Sequence, residues 1–128
     1  MAHAYDKQFI GGRWIASSGK GQLEVVDAAT EEVIGSVPAG DAFDAERAVA
    51  AAKAAFETWS QTPKEERAKY LGRVRDGLVA RTDEIATVMS HEIGMPRSQT
   101  PRIQVGAGIG AFAQAAALAE SYPFEEKL

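Results

Sequence analysis

Cysteine is absent from the sequence, so disulfides, zinc–thiolate sites and any thiol nucleophile are excluded from its 128 residues. Histidine is nearly absent. His3 lies by the terminus, and His91 sits in "HEIGM", which lacks the second histidine of a helical zinc motif. No Ser–His–Asp set is evident. No apolar run reaches the roughly 18 residues of a membrane span. There is no basic block, and the formal charge of −4 is not a nucleic-acid footprint. "MAHAYDK" has neither the basic start nor the apolar core of a signal peptide. The expectation is a cytoplasmic protein with no membrane or nucleic-acid partner.

What is present is ordinary globular composition, 45% hydrophobic and 25% charged, in one domain's worth of chain. "QFIGGRWIAS" sets Phe9-Ile10 and Trp14-Ile15 on either side of Gly11-Gly12, the pattern of a tight β-hairpin. After the flexible "SSGKGQ", "LEVVDA" predicts a short strand. "TEEVIGSV" predicts another, reached through a polar turn at Thr30 to Glu32. Pro38 and Gly40 are expected to close the strand region.

Helices are expected from there on. Asp41 is an N-cap, with Asp44 and Glu46 suited to the helix dipole. Ala45, Ala48, Val49, Ala52, Phe56 and Trp59 recur at helical spacing as one apolar stripe, away from Arg47, Lys53 and Glu57. Thr62, Pro63 and Glu65 predict a second start, with Thr62 as cap and Pro63 at the first helical position. Tyr70, Leu71, Val74 and Leu78 form its expected buried side. A third helix follows a break near Arg81-Thr82, its inner face Ile85, Val88, Met89 and Ile93, and Gly94 and Pro96 stop it. Thr100-Pro101 repeats the Thr-Pro start. The helix from Thr100 to Tyr122 is almost free of charge and expects cover on most sides.

Two features bear on chemistry. "GAGIGA", residues 106 to 111, matches G-x-G-x-x-A, with Glu126 twenty residues beyond Gly106. A phosphate-binding turn needs a strand before the glycines and a second strand carrying the acid. Only "IQV" precedes them, directly after Pro101-Arg102, so the context favours another role. Gly106 and Gly110, one turn apart, would let a neighbouring element approach closely. Glu92 in "SHEIGMP" places a carboxylate at a helix carboxyl end, where the dipole disfavours it. A nearby cation would relieve this, and an exposed, solvated glutamate is the simpler alternative. His91 reads as a surface or half-buried helix residue, and "KEERAK" as a solvated face. From the residues alone the chain is a small α+β unit with no visible active site. A helical protein-interaction module, or a small nucleotide binder using Gly106 to Gly110, would also suit it.

The order of these pieces resembles the amino-terminal region of the NAD(P)-dependent aldehyde dehydrogenase superfamily. Phe9 to Trp14 is similar to the family's aromatic-Ile-x-Gly-x-Trp hairpin. Asp27-Ala28-Ala29-Thr30-Glu31 stands where an Asn-Pro-Ala-Thr-Gly-like turn does. Ala51 to Trp59 resembles the Ala-Ala-x-x-Ala-Phe-x-x-Trp helix end, Glu66, Arg67 and Leu71 the Glu-Arg-x-x-x-Leu helix, and Glu92 to Pro96 the Glu-x-Gly-Lys-Pro segment. Asp27-Ala28 in place of Asn-Pro, and Met95 in place of Lys, are departures.

The resemblance implies an α/β parent fold, of which this chain is an α+β portion: an amino-terminal β-hairpin and strands over about 8–38, then about four helices over 42–122. It implies the first part of the cofactor-binding domain, without catalytic or oligomerisation domains. The last helix would be covered by later sequence beside the substrate entrance, and "PFEE" would lead toward the oligomerisation ribbon. The parent enzyme would oxidise an aldehyde to a carboxylic acid with NAD or NADP, through cysteine thiolate attack, hydride transfer and hydrolysis of the thioester. The family's cofactor loops, oxyanion-hole Asn, general-base Glu and nucleophilic Cys lie farther along its chain. No catalytic or cofactor-binding residue is therefore expected among these 128 residues, and the chain alone is expected to be inactive. Family members that bind a monovalent cation imply a site here at the carbonyls of Val25 and Val26 with the Glu92 side chain. A homo-oligomer is also expected, because the last helix offers a contiguous apolar surface.

Overall fold

The structure, a computed structural model, describes residues 3–125. The chain divides into two compact units, Met1–Gln61 and Thr62–Leu128.

In the first unit β1 (His3–Ala4) precedes the hairpin of β2 (Lys7–Ile10) and β3 (Arg13–Ala16). The hairpin pairs Ile10 with Arg13 and Phe9 with Trp14. Its turn is Gly11-Gly12, both at positive φ, 60° and 76°, as a type I′ turn requires and as glycine alone adopts without cost. The rings of Phe9 and Trp14 meet edge to face at 5.3 Å. β4 (Gly21–Val26) and β5 (Val33–Ala39) are antiparallel, and β1 adds to β5 in parallel, giving the order β1-β5-β4. The sequence did not signal β1, which is too short to show alternation.

Pro38 lies inside β5 rather than closing it. The Ser36 carbonyl accepts from Tyr5 N–H, so Ser36 points its backbone groups toward β1. Pro38, two residues on, points the same way. Because β1 pairs only with Gly35 and Ser36, the missing N–H breaks no ladder bond. The β4–β5 connection is built on Asp27, whose carboxylate accepts from Ala29 N–H at 2.8 Å and Thr30 N–H at 3.1 Å. It ends at Glu31 with φ 61°, where the similar family turn carries glycine.

Helix α1 (Ala42–Trp59) completes the unit. Ala48, Ala51, Ala52 and Ala55 floor an open cleft against Phe9, Ile10 and Gly11 of the hairpin. The predicted inner stripe is not buried: Ala45, Val49, Phe56 and Trp59 are exposed. The small side chains face the hairpin, and the larger ones project outward.

The second unit is helical: α2 (Lys64–Ala80), α3 (Thr82–Ile93), a π-helical turn (Pro101–Val105) and α4 (Gly106–Ser121). α4 packs along α2, and the π-helical turn packs on α3. α2 starts one residue later than predicted. Pro63, at φ −55° and ψ 146°, occupies the cap position, not Thr62. Gly94 ends α3 in the left-handed region, as expected. Burial falls on small residues: Ala68, Ala86, Thr100 and Val105 are buried, whereas Tyr70, Val74, Val88 and Ile93 of the predicted inner faces are exposed.

Candidate functional site

The glycine segment is the first candidate for chemistry, and its geometry excludes a phosphate-binding turn. Gly106, Gly108 and Gly110 all lie in α4, and a π-helical turn rather than a strand precedes them. The Gly106 N–H donates to the carbonyls of Ile103 and Pro101, so it is not free to cradle a phosphate. Glu126 lies outside the described residues. The nucleotide-binder alternative thereby loses the strand-turn-helix geometry that it required. Of the close approaches expected at Gly106 and Gly110, the first is present, a Cβ on Gly106 lying 3.5 Å from the Pro101 carbonyl oxygen of the π-helical turn, and the second is not. A Cβ on Gly108 would sit 4.0 Å from Leu78 Cδ1 of α2, whereas Gly110 faces open space. Of the three, the middle glycine is the one that faces α2.

Before the glycines, Thr100 is fully buried with helical φ and ψ, although the position before a proline disfavours that region. Its hydroxyl lies 3.0 Å from the Pro96 carbonyl, 3.3 Å from that of Met95 and 3.1 Å from the Ser90 hydroxyl. Thr100 is therefore no N-cap. It is held from behind, and the chain enters the π-helical turn through it.

The densest polar cluster is in the first unit. The Asp44 carboxylate, buried at the start of α1, accepts from the Ser17 hydroxyl and from Ser18 N–H at 3.1 Å. Asp41 accepts from Asp44 N–H at 3.0 Å, and Asp44 in return from Asp41 N–H, a reciprocal capping box. The Ser18 hydroxyl donates to Asp41 at 2.7 Å. The Ser17 hydrogen bond, with further help from Ser18 and Asp41 N–H, outweighs burial and holds the Asp44 pKa at about 2. Ser18 first, and then Asp44 N–H, lower Asp41 as well. The D-x-x-D spacing signalled the cap, but nothing in the sequence linked it to Ser17-Ser18. With both Asp44 oxygens and Asp41 Oδ1 engaged in the hydrogen bonds that pin the β3–β4 loop to α1, the cluster has a structural task.

Val25 and Val26 lie on β4, at a shift in its register with β5. Glu92 is exposed in the last turn of α3, in the other unit. Among the described residues no three His, Asp or Glu side chains gather as a metal-binding group. None of the described helices is long and apolar enough to cross a membrane. A cleft of about 460 Å3 lies between Lys64 and Arg67 of α2 and the 122–125 segment, where Tyr122 and Phe124 stack edge to face.

A hairpin, a small mixed sheet and a run of helices give the described residues an α+β fold. Comparison with known proteins gives the family. The family model described as "Aldehyde dehydrogenase family" matches residues 14–127, and the chain belongs to that family. It is 36% identical over 125 residues to a 3-succinoylsemialdehyde-pyridine dehydrogenase of a Pseudomonas species, covering 97% of this chain and 26% of the relative. A mutant aldehyde dehydrogenase C of Pseudomonas syringae, solved with NAD+ and octanal, superposes with a TM-score of 0.93 at 37% identity, over 96% of this chain and 25% of that one. A Mycobacterium tuberculosis aldehyde dehydrogenase complexed with NAD+ gives 0.91 at 35% identity, over 98% and 26%. The chain thus spans about a quarter of the length of the relatives it matches.

Proposed function

We propose that this chain forms the amino-terminal part of the cofactor-binding domain of an enzyme that oxidises an aldehyde to a carboxylic acid with NAD+ or NADP+. The observation that carries the reading is a shared fold over nearly the whole chain, at 37% identity with an enzyme solved with NAD+ and octanal. The role of these residues is scaffolding. The reading includes a cytoplasmic location, no nucleic-acid partner and self-association of the chain. It also includes a monovalent-cation site at the Val25 and Val26 carbonyls and the Glu92 carboxylate. Support comes from the irregular pairing at Val25–Val26, opposite which Ile34 of β5 is skipped, and from the attraction of a helix carboxyl end for cations.

Catalysis is tested with the purified chain, NAD+ or NADP+ and a panel of short, long and aromatic aldehydes. No reduced cofactor is expected by near-ultraviolet absorbance, because covalent catalysis of this kind needs a positioned thiolate. Activity is expected when a second polypeptide supplies the remaining three quarters of a relative's fold. Turnover by the chain alone that is lost on substituting one of its own residues would overturn the reading.

A further inference from the structure

The π-helical turn Pro101–Val105 joins two parts of the helical unit that are each held from elsewhere. At one end Thr100 is fully buried, its hydroxyl bonded to Ser90 of α3 and to the Met95 and Pro96 carbonyls. At the other end α4 packs along α2, with Gly108 toward Leu78. Within the turn the Gly106 N–H donates to the carbonyls of Pro101 and Ile103. It passes over Arg102, its ordinary α-helical partner. The Pro101–Gly106 hydrogen bond thus encloses one residue more than an α-helical turn does. Arg102, Ile103 and Gln104 are exposed, and Val105 is buried. Such turns are rare, so a gain elsewhere must offset the irregular bonding.

The gain lies in rotation. Each residue of an α-helix turns the chain by about 100°. Were the chain α-helical throughout from Thr100, every residue of α4 would take the place its successor now holds. Gln104 would move into the buried place of Val105. Gln114, now exposed, would move into the half-buried place of Ala115. Ile109, now half-buried, would take the place of Gly110, which faces open space. Burying amides without partners and uncovering a branched apolar side chain both cost stability.

We propose that the π-helical turn is a phase corrector. Its one extra residue rotates α4 so that Val105 rather than Gln104 is buried, and Gly108 rather than Ala107 faces α2. Pro101 suits the start of such a turn, having no N–H to leave unpaired. This role is independent of any catalytic activity, so its failure would leave the family and the proposed reaction untouched.

Two chains of equal length test this, one lacking Arg102 of the turn and the other lacking Ala111 of α4. Removing Arg102 lets a regular α-helix run on from Thr100 with every residue of α4 in its present place. The thermal midpoint by circular dichroism is expected to stay level or rise. Removing Ala111 misplaces one half of α4 or the other. Its midpoint is expected to fall by about 4–8 °C or more, the shift that one unpaired buried amide gives a domain of this size. In the chain lacking Arg102, Val105→Gln is expected to lower the midpoint as it does in the native chain, because Val105 still points inward. Through-hydrogen-bond NMR coupling is expected from the Gly106 nitrogen to the Pro101 carbonyl carbon in both of these chains, Pro101 having become the ordinary α-helical partner in the shorter one. A chain lacking Arg102 that melts as low as the one lacking Ala111, or that tolerates Val105→Gln, overturns the proposal. Coupling from Gly106 to Thr100 in that chain also overturns it, since the π-helical turn would have re-formed and carried α4 round.

Discussion

The two units hold themselves together by different means. In the strand-and-helix unit the buried side chains are the carboxylates Asp27 and Asp44, and no hydrophobic side chain is among the buried ones described. In the helical unit they are Ala68, Ala86, Val105 and Thr100, small groups at helix contacts. Directional hydrogen bonds fix a geometry but contribute modestly to net stability, whereas apolar burial scales with area. The first unit is therefore well specified yet depends on apolar cover, and the second is closer to self-sufficient. Both tryptophans, Trp14 and Trp59, belong to the first unit, so their fluorescence follows it alone.

The largest expected effect tests the packing side of this contrast. Ala86 is fully buried, and Ala86→Leu should destabilise the helical unit by about 1–3 kcal/mol through overpacking. Denaturant unfolding followed by circular dichroism should shift, while the tryptophan transition stays in place. Equal shifts in both would mean that the two units unfold as one, and would break the comparison.

The polar side is tested in acid. Asp44 has a folded pKa of about 2, below the ordinary 3.8, so its charged form stabilises the fold above the ordinary value. That contribution is lost as pH falls through about 2. The tryptophan-detected midpoint should therefore be level near neutrality and fall below the ordinary carboxylate range. Asp44→Asn should flatten that acid limb, and an unchanged limb would show that the pin does not hold the unit.

Two smaller changes should stabilise. Glu31 holds a left-handed φ of 61°, and Glu31→Gly should gain about 0.5–1 kcal/mol by removing Cβ strain. The gain should show in tryptophan fluorescence. Gly110 faces open space within α4, and Gly110→Ala should gain about 0.5–1 kcal/mol of helical stability by circular dichroism. A loss there would restore the close approach that the sequence first suggested.

Legibility in the sequence followed the range of each interaction. The Gly-Gly hairpin turn, the Asp41 cap, the Gly94 stop and the break at Arg81-Thr82 were all readable, because each is decided within a few residues. Of the candidate site, the sequence supplied the resemblance and the doubt about "GAGIGA", since the required preceding strand was missing. It did not supply the Ser17–Asp44 bond, which joins residues 27 apart. Nor did it distinguish Gly108 from its neighbours, because only the position of Leu78 on α2 does that.

The sequence by itself determined the number and order of the helices, the register of the hairpin and the family. Local backbone preference and apolar spacing act along the chain and are written in its order. The tertiary structure alone decided which faces are covered. Periodicity marks Ala45 to Trp59 as one apolar stripe, but burial depends on what stands opposite. The hairpin faces alanines of α1 across the cleft, and the small residues of the helical unit fill its contacts. Apolar character is a property of a side chain, whereas burial is a property of its neighbours.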